Sequence, residues 1–68
     1  MAKRLYSLYQ VRWIVGRIHV GKSDLFVVKE ILRVTKGWPK DQRRMAVKDA
    51  LKAHHENQKL YDFVMRGR

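Results

Sequence analysis

Eight residues, Gly16-Arg17-Ile18-His19-Val20-Gly21-Lys22-Ser23, satisfy the spacing G-x-x-x-x-G-K-S. In a phosphate-binding loop of that pattern, successive backbone N–H groups surround the phosphates. The lysine reaches the outer phosphates and the final hydroxyl holds magnesium. Such a loop belongs to a parallel sheet that supplies a second, acidic strand for the metal. A chain of 68 residues has no room for that sheet. Ile18 and Val20 are also β-branched, and so stiff where the loop must wrap around phosphate. The match therefore reads as accidental. It leaves Lys22, with the N–H groups of the helix start that follows, as a contact for a single phosphate of nucleic acid.

Histidines are the next residues with chemistry to offer. A helix presents metal ligands at a spacing of three or four, which leads from His54 to Asn57 and Gln58 and from His55 to Gln58 and Lys59. Neither register holds a second histidine. With no cysteine in the chain, zinc fingers, disulfides and thiolate chemistry are excluded. The six acids are absorbed by ion pairing or capping: Asp41–Arg44, Asp49–Lys52 and Glu56–Lys59 are three apart, and Asp62–Arg66 is four apart. Neither a converging carboxylate pair nor a nucleophile beside a base remains. The chain reads as non-enzymatic, with no cofactor and no metal.

What remains is charge. Sixteen Lys and Arg against six Asp and Glu give a net charge of +10 to one small basic domain, residues 1–68. That balance favours an anionic partner such as nucleic acid or a membrane surface, and an acidic protein patch is equally anionic. A chain this short buries only about 60% of its unfolded surface, so a homodimer is a further assembly that the thin core allows. No membrane partner is expected. The longest apolar runs, Trp13-Ile14-Val15 and Leu25-Phe26-Val27-Val28, fall far below the ~18 residues a span needs. Met1-Ala2-Lys3-Arg4 begins like a signal peptide, but Gln10, Arg12 and Arg17 interrupt the apolar region that must follow. Cytoplasmic residence is the expectation.

The elements that must carry this charge follow from punctuation and periodicity. Gly37-Trp38-Pro39 separates two helical patterns: glycine suits the left-handed residue that ends a helix, and proline the first turn of the next. The spacing predicts a helix over about 39–66. Lys40, Arg44, Lys48 and Lys52 share one face, continued by His55 and Lys59. Val47, Ala50, Leu51, His54, Tyr61 and Val64 form its apolar side. Asn57 offers a cap for a separate final turn. Upstream, Ser23 and Asp24 open a helix over about 24–36. Its buried stripe is Leu25, Val28, Leu32 and Thr35, widened by Val27, Ile31 and Val34, and Lys29, Arg33 and Lys36 lie outside. Trp38 should fill the corner between the two helices, with Phe26 or Leu60 as neighbours. Between Tyr9 and Val15, Tyr9, Val11, Trp13 and Val15 alternate with Gln10, Arg12 and Ile14, a period-two pattern of β-branched and aromatic residues. The predicted class is thus α+β, with an N-terminal strand pair or hairpin over about 8–21 followed by two helices. The alternative is an all-α three-helix domain.

Two helices joined at a Gly turn resemble a helix-turn-helix in outline. The resemblance covers about half the chain. It implies that the second helix enters the major groove of DNA with its N-terminal residues at base edges. On this chain those positions are Lys40, Gln42, Arg43 and Arg44. If 9–20 is a hairpin, Arg12, Arg17, His19 and Lys22 would form a basic wing. The expected function is non-enzymatic and regulatory: binding of nucleic acid, duplex DNA over RNA. Its contacts would be Lys40, Gln42, Arg43, Arg44, Lys48 and Lys52 on one helix, Lys29, Arg33 and Lys36 on the other, and Lys22. The alternative is a basic interaction protein or inhibitor docking on an acidic patch of a large enzyme such as a nucleic-acid polymerase.

Overall fold

A computed structural model describes residues 3–67; Met1 and Ala2 of the signal-peptide-like start, and Arg68, lie outside the described residues. Three helices follow one another: α1 (Leu8–Gly16), α2 (Asp24–Val34) and α3 (Lys40–Arg66). Among the described residues there is no strand, so the N-terminal strand pair is overturned and the all-α three-helix alternative fits.

The reason lies in which residues α1 buries. Ser7 is extended and its Oγ accepts the Tyr9 N–H at 3.2 Å, a side-chain cap that starts the helix. Val11 and Val15, four apart, are buried, and Ile14 and Ile18 pack against the same core. Tyr9 and Trp13 lie on a different face, 76% and 56% exposed. The alternation of Tyr9, Val11, Trp13 and Val15 therefore splits into two helical pairs of spacing four. Burial of the Val11–Val15 stripe outweighs the strand preference of its residue types.

In α2 the Ser23 Oγ accepts the Phe26 N–H at 3.3 Å, and Asp24 stands in the first turn, at the positive end of the dipole. Its buried stripe is narrow: Val27, Ile31 and Thr35, again at fourth positions. Leu25, Leu32 and Val34, expected inside, are exposed because α3 alone covers this helix. Thr35 Oγ1 donates to the Ile31 carbonyl at 2.7 Å. α2 stops at Val34 with Thr35 as its C-cap, two residues short of the expected end, and Gly37 takes φ +93° in the turn that follows.

Against these stripes α3 sets Ala46, Ala50 and Ala53, small residues that let α1 and α2 approach its backbone closely. The helix runs unbroken through His54-His55-Glu56, so Asn57 caps no separate turn. His54 Nε2 lies 2.8 Å from the Lys22 carbonyl, and His55 Nε2 lies 3.0 Å from both Asp24 oxygens, fastening the start of α2. At about 1.5 Å per residue, 27 residues reach about 40 Å. That is nearly the full 44 Å length of the molecule. Tyr61 and Val64, expected on the buried side, are exposed because residues 59–67 run past the other two helices.

The segment before α1 is tied along α3. Gln42 accepts the Leu5 N–H at 2.8 Å and donates to the Lys3 carbonyl at 2.8 Å. Arg4 grips Asp49 with two hydrogen bonds, 2.8 and 3.0 Å, and the Tyr6 hydroxyl donates to the same carboxylate. Tyr6 packs on Trp38 with ring centroids 5.3 Å apart, so the aromatic that fills the Trp38 corner is Tyr6 rather than Phe26 or Leu60. The Arg4 guanidinium holds the Asp49 carboxyl below the usual range, and burial with the bond to Asp49 pushes the Tyr6 phenol up to about 12. A raised phenol means that folding favours its protonated form. This stability is fully present below about pH 10 and is lost as pH climbs through about 12. Tyr6→Phe should cost about 1.5–3 kcal/mol at neutral pH, the range for a hydrogen bond to a charged group. The difference between the two proteins should vanish between those pH values, as read by urea unfolding followed by circular dichroism.

Candidate nucleic-acid interface

Lys40, Arg44 and Lys48 recur every fourth residue of α3, each step turning the helix by only about 40°. They stand on a face separate from Ala46, Ala50 and Ala53, and all three are exposed. With Arg43 they rim a shallow groove of about 430 Å³ whose floor is Leu32 of α2 and Val47. Met45 and Asp41 continue this surface around Lys40, Arg44 and Lys48. The apolar floor gives the long side chains a surface on which to lay their stems while the charged ends stay in water. Among the described residues none of Lys40, Arg44, Lys48 and Lys52 makes a salt bridge.

The first turn of α3 adds to this field. Pro39 precedes it with no side-chain cap, and the first main-chain bond into the helix is Arg43 N–H to the Pro39 carbonyl. The N–H groups that precede it carry the positive end of the helix dipole. Asp41 is the one acid in this turn.

The other sequence-derived residues are placed less favourably for DNA. Gln42 is 3% exposed, with its amide engaged by the N-terminal segment. Arg43 bends back onto α2, donating to the Leu32 carbonyl at 2.8 Å and to Thr35 Oγ1 at 3.4 Å. It thereby satisfies the C-terminal end of α2. Lys29 is exposed on α2 and Lys36 in the turn that follows it. Arg33 is paired with Glu30 at 2.9 Å and, like Lys22, lines a different cleft, between α1 and α2. None of the four expected acid–base pairs on α3 forms a salt bridge among the described residues: Asp49 turns instead to Arg4, and Asp62 accepts from Gln58 at 3.4 Å.

The G-x-x-x-x-G-K-S stretch forms the end of α1 and the loop to α2, preceded by helix rather than strand. Its groups are used locally. Gly21 N–H donates to His19 Nδ1 at 2.9 Å, Lys22 N–H to the His19 carbonyl at 3.0 Å, and Ser23 caps α2. Among the described residues no three His, Cys, Asp or Glu side chains converge on a metal position.

The basic wing expected of Arg12, Arg17, His19 and Lys22 falls with the hairpin: Arg12 is exposed on α1, Arg17 is its C-cap, and His19 and Lys22 lie in the loop to α2. Tyr9, Trp13 and Arg17 follow at intervals of four, the spacing of one helix face. No protein-family model matches the chain, and no curated protein or solved structure matches it either.

Proposed function

We propose that the chain is a small non-enzymatic nucleic-acid-binding protein with a regulatory role. It holds the phosphate backbone through Lys40, Arg44 and Lys48, flanked by Lys52 on α3, by Lys29 on α2 and by Lys36 in the turn after α2. The observation that carries this reading is the exposed row of Lys40, Arg44 and Lys48, free of salt bridges among the described residues, on one face of a long helix. With Gln42 buried and Arg43 holding α2, two of the side chains suited to base edges are occupied. Affinity then comes from phosphates, with little sequence preference. Duplex DNA is favoured over RNA because the row has no large exposed aromatic beside it; Tyr9 and Trp13 stand on α1. Cytoplasmic residence belongs to the same proposal. No helix of the described residues is long and apolar enough to cross a membrane.

Fluorescence anisotropy of a labelled duplex, titrated at several salt concentrations, tests the reading. Neutralising about four to six phosphates gives a slope of log affinity against log salt near −4 to −5. A flat dependence, or no binding at low salt, contradicts it.

A further inference from the structure

α1 and α2 each pack on α3 but scarcely touch one another, leaving a cleft of about 620 Å³ between them. Trp13, Ile14 and Ile18 line it from α1 and the loop after it, Phe26 and Val34 from α2. Trp13 is 56% exposed and Phe26 38%, the two largest side chains of the lining. The rim is cationic. Arg17 lies 5.0 Å over the Trp13 ring and Lys22 5.0 Å over the Phe26 ring. Arg33 stands on the same border, bonded to Glu30, the one acid of the lining among the described residues.

We propose that this cleft receives an amphipathic α-helix of a partner protein, apolar on the inserted face and flanked by Asp and Glu. Trp13, Ile14, Ile18, Phe26 and Val34 make an apolar floor that rewards aliphatic anchors at i, i+3/i+4 and i+7. A nucleic-acid strand would gain stacking from Trp13 and Phe26 but would set its polar base edges against Ile14, Ile18 and Val34. All three elements are helices, so among the described residues no sheet edge is offered for strand addition. Arg17 and Lys22 select acidic flanks, Arg33 being held by Glu30, and an incoming carboxylate draws Arg17 and Lys22 off the rings on which they lie. A second copy of the chain fits poorly. Its own exposed segment, Leu60–Met65, carries one acid, Asp62, already engaged by Gln58, between the cations Lys59 and Arg66, so it brings a net positive charge to a cationic rim. The cleft uses the Phe26–Val34 flank of α2, whereas the proposed DNA surface uses Leu32, so both partners can be held at once.

The test titrates the ¹⁵N-labelled chain with a synthetic helical peptide of about sixteen residues, four turns, with leucines on one face and glutamates beside it. Two controls accompany it: the same peptide with lysines for the glutamates, and a scrambled peptide of equal composition with no apolar face. Expected are amide shifts confined to α1, the 17–23 loop and α2, with binding at least about tenfold tighter than either control. Trp13→Ala, a partly exposed position, should weaken the peptide by about tenfold or more while leaving the melting curve unchanged. The variant Lys40→Ala/Arg44→Ala/Lys48→Ala should bind it as the parent does, which separates this inference from the DNA reading. Equal binding of the acidic and scrambled peptides, shifts centred on Leu60–Met65, self-association relieved by Trp13→Ala, or a single-stranded oligonucleotide competing for the cleft would each overturn it.

Discussion

Ile31→Ala is expected to leave the chain largely unfolded at physiological temperature. Ile31 has no exposed surface, is the largest of the fully buried side chains, and stands in a core otherwise made of valines and alanines. Truncating a buried isoleucine removes its transfer energy and leaves a cavity, costing about 2–5 kcal/mol. A core this small supplies about 3–5 kcal/mol in total. Leu25→Ala is the matched control. It deletes a side chain of similar size from the same helix, but at a position 63% exposed, so its effect should stay within about 0.5 kcal/mol. Urea unfolding of both variants beside the parent checks this. Equal losses at the two positions would mean that the stripe on α2 is not Val27, Ile31 and Thr35.

The second large effect concerns binding alone. Lys40→Ala/Arg44→Ala/Lys48→Ala should lower affinity for duplex DNA by about a hundredfold or more near physiological salt, and make the salt slope shallower by about three. All three side chains are exposed and free of salt bridges among the described residues, so the melting curve should match the parent's. Arg43→Ala should behave differently. Its guanidinium holds the Leu32 carbonyl and Thr35 at the end of α2, so stability should fall along with any loss of binding. A triple variant that binds like the parent would remove the cationic row from the account.

Much of the downstream half was legible in the sequence because its signals are local. Ser23, Asp24 and Pro39 mark helix starts by local chemistry alone and sit at the observed starts of α2 and α3, and Gly37 lies in the turn between them. The row Lys40, Arg44, Lys48 is likewise a matter of spacing. Residues 8–21 were misread because period two in residue type also satisfies a helix in which Val11 and Val15 face inward while Tyr9 and Trp13 face out. Only contact with α3 distinguishes the two. The same holds for Gln42 and Arg43. Both look like DNA-reading side chains in sequence, yet Lys3 and Leu5, 39 and 37 residues away, and Leu32, eleven away, engage them. The pairing of Asp49 with Arg4 instead of Lys52 is another long-range choice, made once the N-terminal segment lies along α3. A strand reading of residues 8–21 holds no sign of the cleft between α1 and α2, since its walls exist only when both are helices.

The central claim is that the Lys40–Lys48 face of α3 is the surface that meets nucleic acid. Its most direct test is a ¹H–¹⁵N titration of the chain with a short duplex, followed residue by residue. The account predicts salt-sensitive shifts that rise through Lys40, Arg44 and Lys48 and their flank at Lys36, with the amides of Tyr9 to Arg17 unmoved. Shifts confined to α1 and the α1–α2 cleft, with Lys40 to Lys48 unmoved, would contradict it.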